Sequence, residues 1–457
     1  MSDTSTAQFP FSGDFPATFA NFLSEDTYQE IYQVHGPRGG GLPKISSWQW
    51  LMGKVFHIMA GPGSFSDHVK QITRISISNG ALSQRGASLG WELVASALKA
   101  VLRPLADPDK HPDAFYNGLR LVAVDGIRFN LRNTPAINAK ALKTRCSKGD
   151  GEPAFAHLCS VALVELGTHQ PLAAAFSWRN LGELTLARLA LAPGTIPLHS
   201  LLLGDRLFGT PLLIHELLPE LESSGGGLLF RVKANMKARL VRVLSDGSRL
   251  VDVEVRDPKT RKLIRVLRLR EIYAEVHKDT REGPALRFRL WTNLLDSAAY
   301  PAQELAELYA KRWEHELFYR ELKSHLHGCN GLLDAQTPES AAQEALAMMM
   351  GASLIARQRA AVAAEAGVPM TRVSFAKVLD ATVAVCKLLE IGRDLLDEDT
   401  RTEIVRRVLE GLAKTALIPK RKPRSCTRGL RQPVKNWPKI KNPTSNSYEK
   451  SIVLTNP

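Results

Sequence analysis

Two apolar runs, LVAV at 121–124 and LLLG at 201–204, each stop at an aspartate, Asp125 and Asp205. Runs that are apolar at every position suit strands covered on both faces, which places them in an α/β domain. Around them, 119–215 reads strand, strand, strand, helix, strand, helix, through RLVAVDGIRFNL, FAHLCSVALVEL, QPLAAAFSW, ELTLARLALA, SLLLGD and PLLIHELLPELE. Open α/β sheets gather ligands at the carboxyl ends of their strands, so neighbouring strands ending in aspartate would set acceptor oxygens side by side. Taken singly, each aspartate could equally cap a turn or a helix.

At 457 residues the chain exceeds what one hydrophobic core supports, which calls for several domains or one domain with a large insertion. Residues 1–45 are polar, end in HGPRGGGLPK, and read as a flexible arm. The glycine cluster is no phosphate loop, because Lys44 follows Pro43 and no apolar strand leads in. From 46 to 110 the periodicity is helical; SISNGALSQRGASLGWEL offers short helices broken by glycine, with Ser78 or Asn79 as caps, and reads either as an ordinary helical bundle or as a DNA-end-binding region with Gln84 and Arg85 as base or phosphate contacts. The α/β core takes 115–226 and 291–365, and 227–290 is a basic strand-rich insertion in which SDGS at 245–248 makes a hairpin turn and RVLRLR sets Arg268 and Arg270 on one face. Residues 366–417 are amphipathic helix, a candidate dimerisation segment, and 418–457 is a basic tail expected to be disordered without a partner.

The net charge of +14 is unevenly spread. Lys420 to Lys441 holds nine basic residues and no acidic one, and Arg231 to Arg289 holds seventeen basic against eight acidic, so the remainder is slightly acidic. Localised positive charge is an electrostatic footprint for a polyanion, with nucleic acid first. The five cysteines, Cys146, Cys159, Cys329, Cys386 and Cys426, form no C-x-x-C pair and suit a reducing compartment. The first residues lack the layout of a secretion signal and the longest apolar run, ALAMMMGASLIA, is too short to span a bilayer, so a soluble cytoplasmic protein is expected.

YAKRWEHELFYRELK at 309–323 mixes charge with aromatics. On one continuous helix at roughly 100° per residue, Tyr309, Arg312, Glu316 and Lys323 share a stripe roughly 60° wide, with Leu308, Phe318, Leu322 and Leu326 opposite. A solvated face has no need of a tyrosine, and Glu316 adds a third carboxylate to Asp125 and Asp205. Three convergent carboxylates suit hard Mg²⁺ or Mn²⁺, and two such ions serve phosphoryl transfer. Arg312, Lys323 and Tyr309 would then hold the phosphates beside the reacting one.

The spacing Y-x-x-R-x-x-x-E-x-x-x-x-x-x-K at Tyr309, Arg312, Glu316 and Lys323 resembles the signature of the insertion-sequence-four type of DDE transposases, and DGIRFNLRNTPAIN and GDRLFGT are similar to that family's two aspartate motifs. The resemblance covers about 70–365. It implies a ribonuclease-H-like core with the strand-rich region inserted between the second aspartate and the glutamate. It also implies a catalytic, metal-binding triad of Asp125, Asp205 and Glu316 holding two Mg²⁺, with Mn²⁺ able to substitute. DNA contacts fall to Tyr309, Arg312, Lys323, Arg206, Arg268 and Arg270, and the implied partners are double-stranded DNA, as transposon inverted-repeat ends and target, and a second copy in a synaptic homodimer at the bacterial nucleoid. Leu207 departs from the glycine that family members often carry there and puts the local turn in question. Trp291 is the nearest counterpart of a tryptophan that relatives use against a flipped base, but its strand setting favours core packing.

Two other readings remain: a non-catalytic DNA-binding descendant, and a metal-dependent nuclease without strand transfer. A binder would gain from losing carboxylates near phosphates. A zinc site from His315, His325, His327 and Cys329 lacks a second thiolate pair, and Met348 to Met350 read as core.

Overall fold

The computed structural model describes residues 14–38, 43–141, 156–179, 181–277, 286–326, 332–419 and 451–454. They fall into two compact units, one within Met1–Ser200 and Trp313–Ile418, the other within Leu201–Arg312 and Pro419–Pro457.

The first unit opens with helices where a flexible arm was expected: α1 (Phe15–Phe22) and α2 (Glu25–His35), capped by Asp14 and Ser24. Phe15, Phe19 and Phe22 follow helical spacing, and the Phe15 and Phe19 rings pack 4.7 and 5.6 Å from Phe56 and Trp48 of α3 (Ser47–Ala60). Burying three aromatics outweighs the polar composition around them. The glycine cluster at 39–41 lies outside the described residues. Next come α4 (Phe65–Thr73) and α5 (Asn79–Val101), the latter capped by Ser78 and broken at Gly90, whose φ of 72° is left-handed. A short strand β1 (Phe115–Tyr116) and β2 (Leu119–Asn130) follow, then α6 (Pro135–Lys140), β3 (His157–Glu165), β4 (Gln170–Ser177) and α7 (Glu183–Ala190). In this unit β4, β3 and β2 pair antiparallel in that order, with β1 on β2. Leu121 to Val124 are wholly buried, as a two-sided apolar run requires.

The second unit begins with β5 (Ser200–Gly204), α8 (Pro211–Ser223) and β6 (Gly227–Val232), and β5 and β6 pair in parallel through the α8 crossover. The insertion boundary therefore moves: GLLFRV is a buried partner of β5, and the antiparallel part starts after it. That part contains β7 (Arg239–Val243), β8 (Arg249–Arg256), β9 (Leu263–His277) and β10 (Leu286–Thr292), followed by α9 (Ala302–Tyr309); the order here is β5-β6-β10-β9-β8-β7. SDGS forms the β7–β8 turn, with Gly247 at φ 80°. Arg268 and Arg270 part company within their shared strand. Arg268 is exposed and bonded to Asp252 at 2.6 Å, whereas Arg270 is wholly enclosed, bonded to Ser248 (2.8 Å), the Tyr300 carbonyl (2.6 Å) and Asp246. Arg270 is thus a buried structural ion and not a DNA contact; the turn that brings Asp246 over it is distant in sequence. Trp291 is fully buried, its indole N–H donating to Glu271 at 2.9 Å, in keeping with core packing.

The helical stretch 309–323 is not one regular helix. α9 ends at Tyr309, Ala310–Arg312 is a 3₁₀ turn, α10 spans Trp313–Glu321, and Leu322–Leu326 is a π turn. The uniform 100° step behind the four-residue stripe therefore fails across it. Tyr309 and Arg312 fall in the second unit, Glu316 and Lys323 in the first. The first unit closes with α11 (Pro338–Ala366), which buries Met348 to Met350, and then α12 (Phe375–Ile391) and α13 (Glu398–Thr415). Most of the basic tail lies outside the described residues; its described piece is not disordered but forms β11 (Ser451–Leu454), antiparallel to β9.

Candidate active site

In the first unit, strand alternation puts Asp125, Ile127 and Phe129 on one face of β2 and Gly126 and Arg128 on the other. Gly126 leaves room for Glu183 on the first turn of α7: a Cβ there would stand 2.8 Å from the Glu183 carboxyl carbon and would push that side chain aside. Glu183 lies 3.4 Å from Arg128, and nothing in the sequence pairs it with the aspartate motif. Asp125 accepts the Gly126 N–H at 2.8 Å.

Two side chains fasten α10 at the level of Asp125. The Tyr319 hydroxyl donates to the Asp125 carbonyl at 2.5 Å, and His315 Nε2 lies 3.2 Å from the Ala162 carbonyl. Asp125 and Ala162 face each other in the β2–β3 register, so both anchors rest on one rung. Burial drives the Tyr319 phenol well above its ordinary value, with the Asp125 charge adding, so it remains a donor. Glu316, half-buried, follows His315 on this helix. Lys323 lies 5.8 Å from the centre of the Phe129 ring, on the face that also carries Asp125, and burial lowers its pKa. Asp125, the helix of Glu316, and Lys323 are thus brought together within one unit.

In the second unit, Asp205 leaves β5 and folds the chain back on itself: its side chain accepts the Leu207 N–H at 2.7 Å and its carbonyl those of Phe208 and Gly209 at 3.1 and 3.2 Å. Leu207 is not among the left-handed residues, so this turn needs no glycine at that position. Gly209 is the constrained one, since a Cβ there would stand 2.2 Å from the Arg231 carbonyl oxygen. Arg206 is exposed. The Tyr309 hydroxyl points back to the Gly204 carbonyl at 3.4 Å, its ring packs 5.8 Å from Phe288, and the Arg312 guanidinium lies 6.0 Å from it. Burial pushes the Tyr309 phenol up to about 12, against Arg312 and Arg231 nearby. Arg231 was not singled out as a site residue in the sequence; it follows Phe230, which the parallel register sets opposite Gly204, the residue before Asp205.

The zinc reading ends here: His315 is spent on a backbone carbonyl, His325 is exposed, and His327 and Cys329 lie outside the described residues. Asp125 and Glu316 belong to one unit and Asp205 to the other. Among the described residues no three His, Cys, Asp or Glu side chains are grouped to hold a metal ion. The candidate donors are all carboxylate oxygens, the set that hard divalent cations select. None of the described helices is long and apolar enough to cross a membrane.

The family model described as Transposase DDE domain matches residues 116–352, a span that holds Asp125, Asp205, Glu316 and Lys323. The transposase InsG of insertion sequence element IS4 from Escherichia coli (strain K12) is 26% identical over 284 residues, 62% of this chain. The match spans 61% of that relative's length. Among solved structures, the cryo-EM structure of a piggyBac transposase synaptic complex with hairpin DNA matches with a TM-score of 0.46 and 10% identity, over 92% of this chain and 88% of that one. With the family model covering just over half of its length, the chain belongs to the DDE transposase-domain family, whose members depend on divalent metal.

Proposed function

We propose that this protein is a DNA transposase of the insertion-sequence-four type, which cuts transposon ends and joins them to target DNA. The observation that supports this reading is the anchoring of α10, the helix that carries the glutamate of the signature, on one rung of the sheet: Tyr319 on Asp125 of β2 and His315 on Ala162 of β3. Asp125, Asp205 and Glu316 would hold the metal, read as two Mg²⁺ with Mn²⁺ able to substitute, in a ribonuclease-H-like core. The bound ions would activate the attacking oxygen and stabilise the leaving one.

The chain's own residues do the rest. Exposed Arg206, half-buried Arg312 and Lys323 are the cations placed to grip backbone phosphates near the scissile bond. Tyr309 holds the strand end that carries Asp205, and a DNA contact from it would be made by the ring edge or by a hydroxyl turned away from Gly204. Arg268 shares its charge with Asp252 and contributes less. The partners in this reading are double-stranded DNA ends, target DNA and a second copy of the chain. Region 46–110 reads the ends, and 366–417 supplies the dimer contact.

A duplex carrying the element's terminal repeats, incubated with the full chain, is expected to be nicked and joined only with Mg²⁺ or Mn²⁺. Asp125→Asn, Asp205→Asn and Glu316→Gln should each lower the rate by roughly 10²-fold or more, as when a group serving the transition-state charge is lost. Wild-type rates in Asp125→Asn would refute the reading. Cleavage without joining would point to a nuclease instead.

A further inference from the structure

The four-residue turn between β3 and β4, Leu166–His169, is closed by the His169 N–H on the Glu165 carbonyl at 2.9 Å. His169 adopts φ 57°, a left-handed conformation uncommon outside glycine, in which asparagine, aspartate and histidine are over-represented. Its ring is almost completely buried and reaches two carboxylates on α10: Nδ1 is 2.8 Å from Glu321 and Nε2 is 2.9 Å from Glu314. Carboxylates only accept, so both nitrogens donate and the ring is a cation. Arg359 of α11, also buried, lies 3.4 Å from the other Glu321 oxygen and donates to the Met370 and Val373 carbonyls at 3.0 Å each. Two carboxylates, buried Glu321 and half-buried Glu314, thereby balance two buried cations.

Such a network is a poor way to obtain stability, because desolvating four ions offsets most of their attraction. Its value lies in where its charges sit. Glu314 is near the start of α10 and Glu321 is its last residue, seven positions apart and hence on one face. The 3₁₀ turn before the helix and the π turn after it leave both ends irregular. Glu316 lies between the two pinned residues, turned about 200° from Glu314 and about 60° beyond Tyr319. Backbone strain at a buried, doubly bonded histidine is the kind of outlier that marks a functional constraint.

We propose that His169 is a positioning residue for Glu316: held between Glu314 and Glu321, it fixes the rotation and axial setting of α10 so that the Glu316 carboxylate is presented toward metal. This rests on the reading of Glu316 as a metal ligand. Supporting residues behind a ligand commonly set its affinity by about 10-fold to 100-fold.

The test is Mn²⁺ binding to the full-length chain, followed by electron paramagnetic resonance, with helix content and thermal midpoint recorded for each variant. His169→Gln is expected to weaken Mn²⁺ binding by about 10-fold or more and to change the spectrum of the bound ion. Glu314→Gln, at the more open end of the clamp, should produce a smaller loss in the same direction. Arg393→Met, which removes ion pairs to Glu390 and Asp14 elsewhere in the same unit, should leave Mn²⁺ affinity unchanged. Should Glu316→Gln weaken binding while His169→Gln and Glu314→Gln bind like the unmodified chain, the clamp is packing alone and the proposal falls. Should Glu316→Gln itself bind Mn²⁺ normally, it is the reading of Glu316 that fails. If His169→Gln does not fold, Glu314→Gln decides by the same criterion.

Discussion

Arg270 shows how strongly a single residue's role depends on what closes over it. Its neighbour in the alternation, Arg268, meets solvent and Asp252, whereas Arg270 has no solvent exposure and is bonded to Ser248, Asp246 and backbone carbonyls of the 294–300 segment. Removing the guanidinium takes the cation away from Asp246, whose carboxyl is held, against its burial, below the usual range by Ser248 and the Ala302 N–H with Arg270 adding, and leaves the 294–300 carbonyls without their buried donor. Arg270→Met should therefore destabilise the protein by about 3–5 kcal/mol, measured by urea unfolding, while Arg268→Met, which leaves Asp252 still paired with Arg239, should cost roughly 1 kcal/mol or less. Equal effects would mean that the enclosed ion is not supported as described.

Among the elements, α3 and α4 meet through an unusual pair: His57 and His68 face each other Nδ1 to Nδ1 at 2.8 Å, so one ring must donate and the other accept. Burial lowers both, His57 to about 4, with Lys54 adding to the effect there and Lys387 at His68. Both rings are therefore neutral at pH 7. As the pH falls below about 6.5 the unfolded chain takes up protons that the fold refuses, so stability drops from there down to about 4 and then levels. The thermal midpoint should accordingly decline over that window, and a His57→Gln, His68→Asn double variant should decline less steeply than the unmodified chain. Parallel curves would show that the pair does not titrate with folding. At the same scale, α10 is held by side chains at His315, Tyr319, Glu314 and Glu321.

Across the whole molecule the net charge of +14 predicts DNA affinity that depends steeply on salt. Removal of 420–457, which carries nine lysines and arginines up to Lys441, should flatten the slope of log affinity against log salt without changing sequence preference. A slope that the deletion leaves alone would take the tail out of binding. Much of this protein was determined by its sequence. The apolar runs at 121–124 and 201–204, the succession of strands and helices from 119 to 215, the SDGS turn and the buried methionines are local patterns of hydrophobicity and turn chemistry that hold whatever the chain packs against. The two aspartate motifs and the signature spacing were read through resemblance to a family, and the family model over 116–352 bears out that family. Only tertiary structure decided that Phe15, Phe19 and Phe22 make a core helix, that Arg270 is enclosed, that Gly126 clears room for Glu183, and that His169 clamps α10. Each of these depends on partners far away in the chain, and the free energy of a buried ion or aromatic is set by those partners, which no local window of sequence contains.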